Sequence, residues 1–271
     1  MTNPFSYAGK RVVVTGASSG VGAALIELLA ELGAEDVSVL DVKEPSGPHS
    51  RYLPTDLGDP ASVDEALAAI DGPVHALFNN AGVAGTQPPL VVLGVNYLGP
   101  KRLTAGLLEK MPAGAAVANT ASIAGGNWPQ NLEAILELCA IDDWDAARAW
   151  LEAHDDLLRD PYSFSKECMQ VHTMVSSKAT QARGVRTNSV CPGVIETPLI
   201  PDFEATMSRP LLEWTANQGA GRFAAPAEIA AVLAFLGSDA STYVNGANLV
   251  ADAGFTAAMT TGQVDLSALP G

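Results

Sequence analysis

The sequence predicts an α/β fold, built as one doubly wound parallel sheet of about seven strands. Helices cover both faces, and a helical insertion interrupts the pattern near residues 126–160. Three observations predict this. Short β-branched runs alternate with helical patterns along the whole chain. A glycine-rich turn joins the first strand run to the first helix pattern. At 271 residues and 48% hydrophobic composition, one sizeable core accounts for the length, with no linker or repeat. Residues 1–271 therefore read as a single domain.

Arg11-Val-Val-Val-Thr15 is the first strand run, followed by a helix pattern through Leu25, Leu28, Leu29 and Leu32. Gly33 stands where a left-handed helix cap is expected. Val37 to Leu40 forms the second run and ends at Asp41, and a third precedes Asp56. Later runs lie at Val74–Phe78, Ala115–Asn119, Val185–Val190 and Ala247–Val250. Apolar strands between helices mark a sheet buried on both faces. In the insertion, Leu132, Ile135, Leu136 and Cys139 share helical spacing, as do Trp144, Ala147 and Leu151, which predicts a helical hairpin.

Composition excludes several functions. A net charge of −15 repels phosphate backbones, so nucleic acid is not an expected partner. The apolar stretches fall far below the roughly 20 residues that span a bilayer, and no secretory pattern opens the chain, so a cytoplasmic protein is expected. The 3 cysteines and 4 histidines are scattered without metal-ligand spacing, so no metal is expected. Buried small hydrophobes are the expected role of the cysteines.

Thr15-Gly16-Ala17-Ser18-Ser19-Gly20-Val21-Gly22 lies between strand and helix. Glycines there let the backbone turn tightly and approach a pyrophosphate, whose charge meets the helix N-terminus. Three glycines at such offsets arise by chance about 0.2 times in a chain this rich in glycine, so context decides. Asp41, 19 residues beyond Gly22, supplies that context. A carboxylate there accepts from the ribose hydroxyls and repels a 2′-phosphate, favouring NAD over NADP. Lys43 nearby could offset part of that repulsion.

The Gly-x3-Gly-x-Gly spacing resembles the short-chain dehydrogenase/reductase family, and the resemblance extends over nearly the full chain. Asn79-Asn80-Ala81-Gly82 matches the family's NNAG turn, and Asn96 its helix asparagine. Ser122 and Tyr162-Ser-Phe-Ser-Lys166 match its serine and YxxxK motif, and Pro192-Gly193 with Thr197 its late turn. Within the family, the long interval of 40 residues from Ser122 to Tyr162 is similar to the 3-alpha-hydroxysteroid dehydrogenase/carbonyl reductase and coniferyl-alcohol dehydrogenase branch.

The resemblance implies a catalytic set of Asn96, Ser122, Tyr162 and Lys166. It implies cofactor contacts at Gly16, Ser18, Ser19, Gly20, Val21, Gly22, Asp41, Asp56, Leu57, Asn80, Ala81 and Gly82. Further contacts are implied at Tyr162, Lys166, Pro192, Gly193, Ile195 and Thr197. By resemblance, Asn96 holds a water between Lys166 and solvent; a helix asparagine bonded to backbone is the plainer alternative. For Asp56 the alternative is an Asx turn.

The chemistry agrees with these assignments. Removing a proton from an alcohol oxygen while hydride leaves carbon requires a base at the oxygen. Lys166 shares a helical face with Tyr162, and an ammonium at about 4–5 Å with an effective dielectric near 20 supplies roughly 3–4 kcal/mol. That lowers the phenol by about two to three pKa units, toward neutrality. Ser122 can donate to the developing alkoxide.

The expected reaction is therefore NAD(H)-dependent interconversion of a secondary alcohol and ketone, or of an aromatic or allylic alcohol and aldehyde. A hydrophobic cyclic substrate such as a 3-hydroxysteroid is favoured. Residues 199–223 form the expected substrate loop, with apolar Ile200, Phe203, Met207, Leu211, Leu212 and Trp214. A 3-oxoacyl-type reductase and a non-catalytic dinucleotide sensor are the alternatives. The insertion's Trp128, Trp144 and Trp150 suit either a lid or core packing. In the family this region borders a four-helix dimer contact, so the insertion is expected to block or replace it. A homodimer through another face is expected, with a tetramer the alternative.

Overall fold

The computed structural model describes residues 3–270. Seven strands form one all-parallel sheet in the order β3-β2-β1-β4-β5-β6-β7. They are β1 (Arg11–Thr15), β2 (Asp36–Asp41), β3 (Arg51–Pro54), β4 (Ala76–Asn79), β5 (Ala116–Thr120), β6 (Arg186–Pro192) and β7 (Asn248–Ala251). In register, β1 is flanked on both sides, with Val12 opposite Val37 of β2 and Ala76 of β4. The winding direction reverses between β1 and β4. Their carboxyl ends diverge there, leaving a crevice where this class of sheet binds ligands.

The first half of the chain contributes α1 (Gly20–Glu31), α2 (Pro60–Ala69), α3 (Pro89–Leu93) and α4 (Gly99–Leu107), with a π-helical turn at Gly94–Leu98 between the last two. Gly33 follows α1 at φ +92, the left-handed cap that its position predicts. One core face packs Leu25, Ile26 and Leu29 of α1 with Leu233 and Leu236 of α10 (Pro226–Gly237) over Val12, Val14 and Phe78. The opposite face packs Val63 and Ala66 of α2 with Leu103 and Leu107 of α4 over Val13, Leu77 and Val117. Valines alternating along β1 thus fill both faces, which explains its uninterrupted apolar run.

The expected insertion is helical: α5 (Leu132–Cys139) and α6 (Trp144–Ala153) precede the long α7 (Pro161–Gln181). Asp143 caps α6 by accepting from the Ala146 N–H at 2.8 Å. Lys101 of α4 donates to the carbonyls of Cys139 and Ile141 at 2.8 and 2.6 Å, satisfying groups that the end of α5 leaves free. Ile135, Leu138, Trp144 and Leu151 bury against Phe164, Cys168 and Met169 of α7. After β6, α8 (Ile200–Met207) and α9 (Arg209–Asn217) arch over the crevice, and α11 (Phe255–Thr260) follows β7. No described helix is long and apolar enough to cross a membrane.

Candidate active site

The carboxyl ends of β1 to β6 and the N-termini of α1 and α7 converge on a cavity of about 780 Å³. The glycine turn forms one wall. Gly16 has φ +71, and a Cβ there would lie 2.5 Å from the Ala81 Cα, so only glycine lets the two turns meet. A Cβ on Gly22 would run into the Gly16 carbonyl oxygen. Thr15 stitches these turns together. Its hydroxyl accepts from the N–H groups of Asn80 and Ala81, each at 3.0 Å, while Asn80 Nδ2 donates to the Gly16 carbonyl at 3.1 Å.

At the start of α1 no side chain caps the helix, and no acidic residue occupies its first turn. Among the described residues no side chain caps its first N–H groups, and Ser18, Ser19, Gly20 and Val21 line the cavity, so this helix start suits an anion. Asp41, at the end of β2, accepts from the backbone N–H groups of Ser18 at 2.9 Å and Lys43 at 3.1 Å. Lys43 meets Asp41 through its main chain and is not among the cavity-lining residues. Asp56 lines the cavity and also makes an Asx turn, its Oδ1 accepting from the Gly58 N–H at 2.8 Å. The Asx turn is therefore present, and the residue also stands in the lining. Leu57, Gly82, Pro192, Gly193, Ile195 and Thr197 line the same cavity. A phosphate-bearing dinucleotide fits this arrangement.

Tyr162, Lys166 and Ser122 meet deeper in. Asp160 caps α7 by accepting from the Ser163 N–H at 3.1 Å, with Pro161 at the first helical position. That cap sets the rotation presenting Tyr162 and Lys166 to the cavity. The Lys166 Nζ lies 5.7 Å from the Tyr162 ring centroid and donates to the Thr120 carbonyl at 2.9 Å. Ser122 lines the cavity beside Tyr162 and acts to lower its phenol pKa, and its Oγ accepts from the Ala124 N–H at 3.1 Å.

Electrostatics differ from the sequence expectation. Burial pushes the Tyr162 phenol up to about 12, Ser122 opposing it only in part. Burial likewise pushes the Lys166 ammonium down to about 8. Desolvation therefore dominates at both groups, and the attraction expected from the ammonium does not offset it at the phenol.

Two expected residues do not line the cavity. Gly22 lies beneath the turn. Asn96, in the π-helical turn, is 1% exposed and spends its amide on Val83 N–H (2.8 Å), Val83 carbonyl (3.0 Å) and the Ser165 hydroxyl (3.0 Å). Its side chain ties the NNAG turn to α7. π-turns of this kind free backbone groups at functional sites.

Sequence reasoning missed two residues. Gln170, two turns after Tyr162, donates from Nε2 to the Ser122 carbonyl at 2.8 Å. Glu167 accepts from Asn131 at 2.6 Å, clamping the insertion to α7. Spacing could have flagged Gln170, since Tyr162, Lys166 and Gln170 share one helical stripe. The partner of Glu167 lies in the insertion, beyond any local pattern. The insertion's tryptophans are core. Trp144 is buried, Trp128 and Trp150 pack against the same cluster, and none lines the cavity. From the expected substrate loop, Phe203, Met207, Leu211, Leu212 and Trp214 do line it, whereas Ile200 is buried elsewhere.

A doubly wound sheet, an anion-binding turn at its switch point and a Ser–Tyr–Lys cluster beside it define a dinucleotide-binding oxidoreductase class. Residues 10–133 match the short chain dehydrogenase family model, and residues 158–256 match that of Enoyl-(Acyl carrier protein) reductase. Coniferyl-alcohol dehydrogenase of Pseudomonas sp. strain HR199 is 33% identical over 249 residues, covering 90% of this chain and 96% of the relative. Cis-4-hydroxycyclohexanecarboxylate dehydrogenase of Sinomonas cyclohexanicum is also 33% identical, over 93% of this chain and 98% of the relative. The 3-alpha-hydroxysteroid dehydrogenase of Pseudomonas sp. B-0831, complexed with NADH, superposes with a TM-score of 0.76 at 29% identity, covering 93% of this chain and 99% of that one. The chain belongs to the short-chain dehydrogenase/reductase family and is an enzyme acting on CH–OH donors.

Proposed function

We propose that this enzyme uses NAD(H) to interconvert a hydrophobic cyclic secondary alcohol and its ketone, or an aromatic or allylic alcohol and its aldehyde. The meeting of Tyr162, Lys166 and Ser122 in one cavity with the glycine turn carries this reading. Tyr162 takes the alcohol proton, and Ser122 donates a hydrogen bond to the substrate oxygen as it gains negative charge. When bound, the dinucleotide supplies the carbon that accepts the hydride and, in its oxidised form, a positive charge. That charge and the Lys166 ammonium both favour the phenolate, opposing the burial that raises it. The alternative sensor function would not require this cluster.

NAD is favoured over NADP by Asp41, whose carboxylate stands where a 2′-phosphate would be repelled. The same carboxylate weighs against a 3-oxoacyl-type reductase using NADP. A cyclic substrate is favoured by Phe203, Trp214 and Phe255 in the lining, and by three similar proteins named for ring-bearing alcohols. A 3-hydroxysteroid is the leading candidate. The 271 residues act as one catalytic domain in this reading. The insertion covers the outer side of α7, which favours a homodimer through a different face. Turnover of a panel of cyclic and aromatic alcohols, with NAD and NADP in parallel, tests the reaction. Activity with NADP alone, or with none of the panel, would overturn it. Light scattering that showed a tetramer built on α4 and α7 would overturn the assembly.

A further inference from the structure

The charges around the cavity are unevenly placed. Asp41 and Asp56 lie at the turn end, and Lys166 is committed to Thr120 beside the tyrosine. Beyond Tyr162 the lining is uncharged, formed by Ile123, Phe203, Met207, Leu211, Trp214 and Phe255. Phe203 meets the Tyr162 ring edge-on at 5.0 Å, and Trp214 meets Phe255 likewise at 6.0 Å. Among the described residues, Lys166 is the only cation that lines the cavity.

The two arginines of the substrate loop are already neutralised. Arg209, the first residue of α9, holds Glu204 at 2.8 Å and Glu213 at 2.7 Å, two carboxylates on one guanidinium. Arg222 holds Glu228 with both terminal nitrogens, each at 2.7 Å. Asp202 on α8 adds a further acid, bonded to the Thr86 hydroxyl at 3.1 Å. The net charge of −15 gives the whole molecule the same sign. An anion approaching the substrate end of the cavity meets net negative charge outside and, inside, no cation beyond Lys166; among the described residues the buried donor left without a partner there is the neutral indole N–H of Trp214.

We propose that the substrate is uncharged: a ring-bearing alcohol without carboxylate, phosphate or sulfate. The inference rests on the dehydrogenase function proposed above and narrows its substrate class. It separates this chain from the Sinomonas relative, which is named for a hydroxycyclohexanecarboxylate. A carboxylate buried against a single neutral indole N–H, with no cation of its own, is strongly disfavoured, whereas its ester loses little on leaving water. An ammonium on the ring would suffer the same desolvation.

The test compares 4-hydroxycyclohexanecarboxylate with its methyl ester, the same ring and carbinol differing in charge. Turnover with NAD is measured at pH 8, and binding of the corresponding ketones to the NADH complex is measured by calorimetry. The ester should exceed the acid by at least about 100-fold in kcat/KM and in ketone affinity. Equal or tighter binding of the acid would overturn the inference. Preferential ester binding without turnover would uphold the charge selection while refuting the dehydrogenase function. Leu211→Arg, which places a cation in the lining, should narrow the ester-to-acid binding ratio at least about tenfold. An unchanged ratio with a folded variant would refute the missing cation as its cause.

Discussion

Gln170 holds the carbonyl of Ser122 at 2.8 Å from the same helical stripe that presents Tyr162 and Lys166. The helix thus fixes the strand end twice, at Thr120 through Lys166 and at Ser122 through Gln170. Gln170→Leu keeps the bulk and removes the donor. It should lower kcat about tenfold through misplacement of Ser122, leaving KM for NAD unchanged. It should also cost about 1–3 kcal/mol of stability for the unpartnered buried carbonyl. Unaltered kcat in a destabilised variant would make Gln170 merely structural.

Tyr162→Phe deletes one oxygen and retains the edge-on ring contact with Phe203. Turnover should fall by at least about 1,000-fold, since the proton then has no acceptor in the site. NADH affinity, followed by fluorescence titration, should change less than about threefold. Substantial residual turnover would move the base elsewhere.

Asp41→Ala removes the carboxylate on which the proposed preference for NAD rests. The NAD-to-NADP ratio of kcat/KM should drop by about 100-fold, measured with one alcohol at fixed pH. A ratio that stays constant would place coenzyme selection outside β2.

The depressed Lys166 ammonium makes stability depend on pH with a definite sign. Its folded value of about 8 lies below the ordinary 10.5, so between them the unfolded chain binds more protons than the native one. The burial penalty is therefore complete below pH 8 and relieved as pH rises toward 10.5, by roughly 3 kcal/mol at most. Tyr162, raised to about 12, acts oppositely: stability is lost as pH climbs from about 10 toward that value. Urea unfolding at pH 7.5 and 9.5 should show a gain in the wild type that Lys166→Met loses. Parallel pH profiles for the two proteins would contradict a desolvated lysine.

The parts legible beforehand were those with short-range signatures. Valines repeated in β1 announce a strand buried on both faces, and Gly33 announces a helix end. The serine, tyrosine and lysine are motif residues at fixed offsets, and the structure brings them to one cavity. Gln170 and Glu167 stayed hidden because their partners are 48 and 36 residues away, and pairing at such distances leaves no periodic trace. The titration of Tyr162 was misjudged for a related reason. Coulomb attraction can be guessed from a spacing of four residues, but desolvation depends on everything packed around the pair.

Because α5 and α6 bury the outer side of α7, the first turns of that helix, from Phe164 to Met169, are walled in by the sheet behind and the insertion in front. Few side chains in this stretch can vary alone. A change at Cys168 or Met169 displaces neighbours in the insertion, and the displacement feeds back to the lysine within one turn and the tyrosine within two. Directed evolution of this enzyme should therefore find gains on α7 chiefly as paired mutations, one in the helix and one in the hairpin.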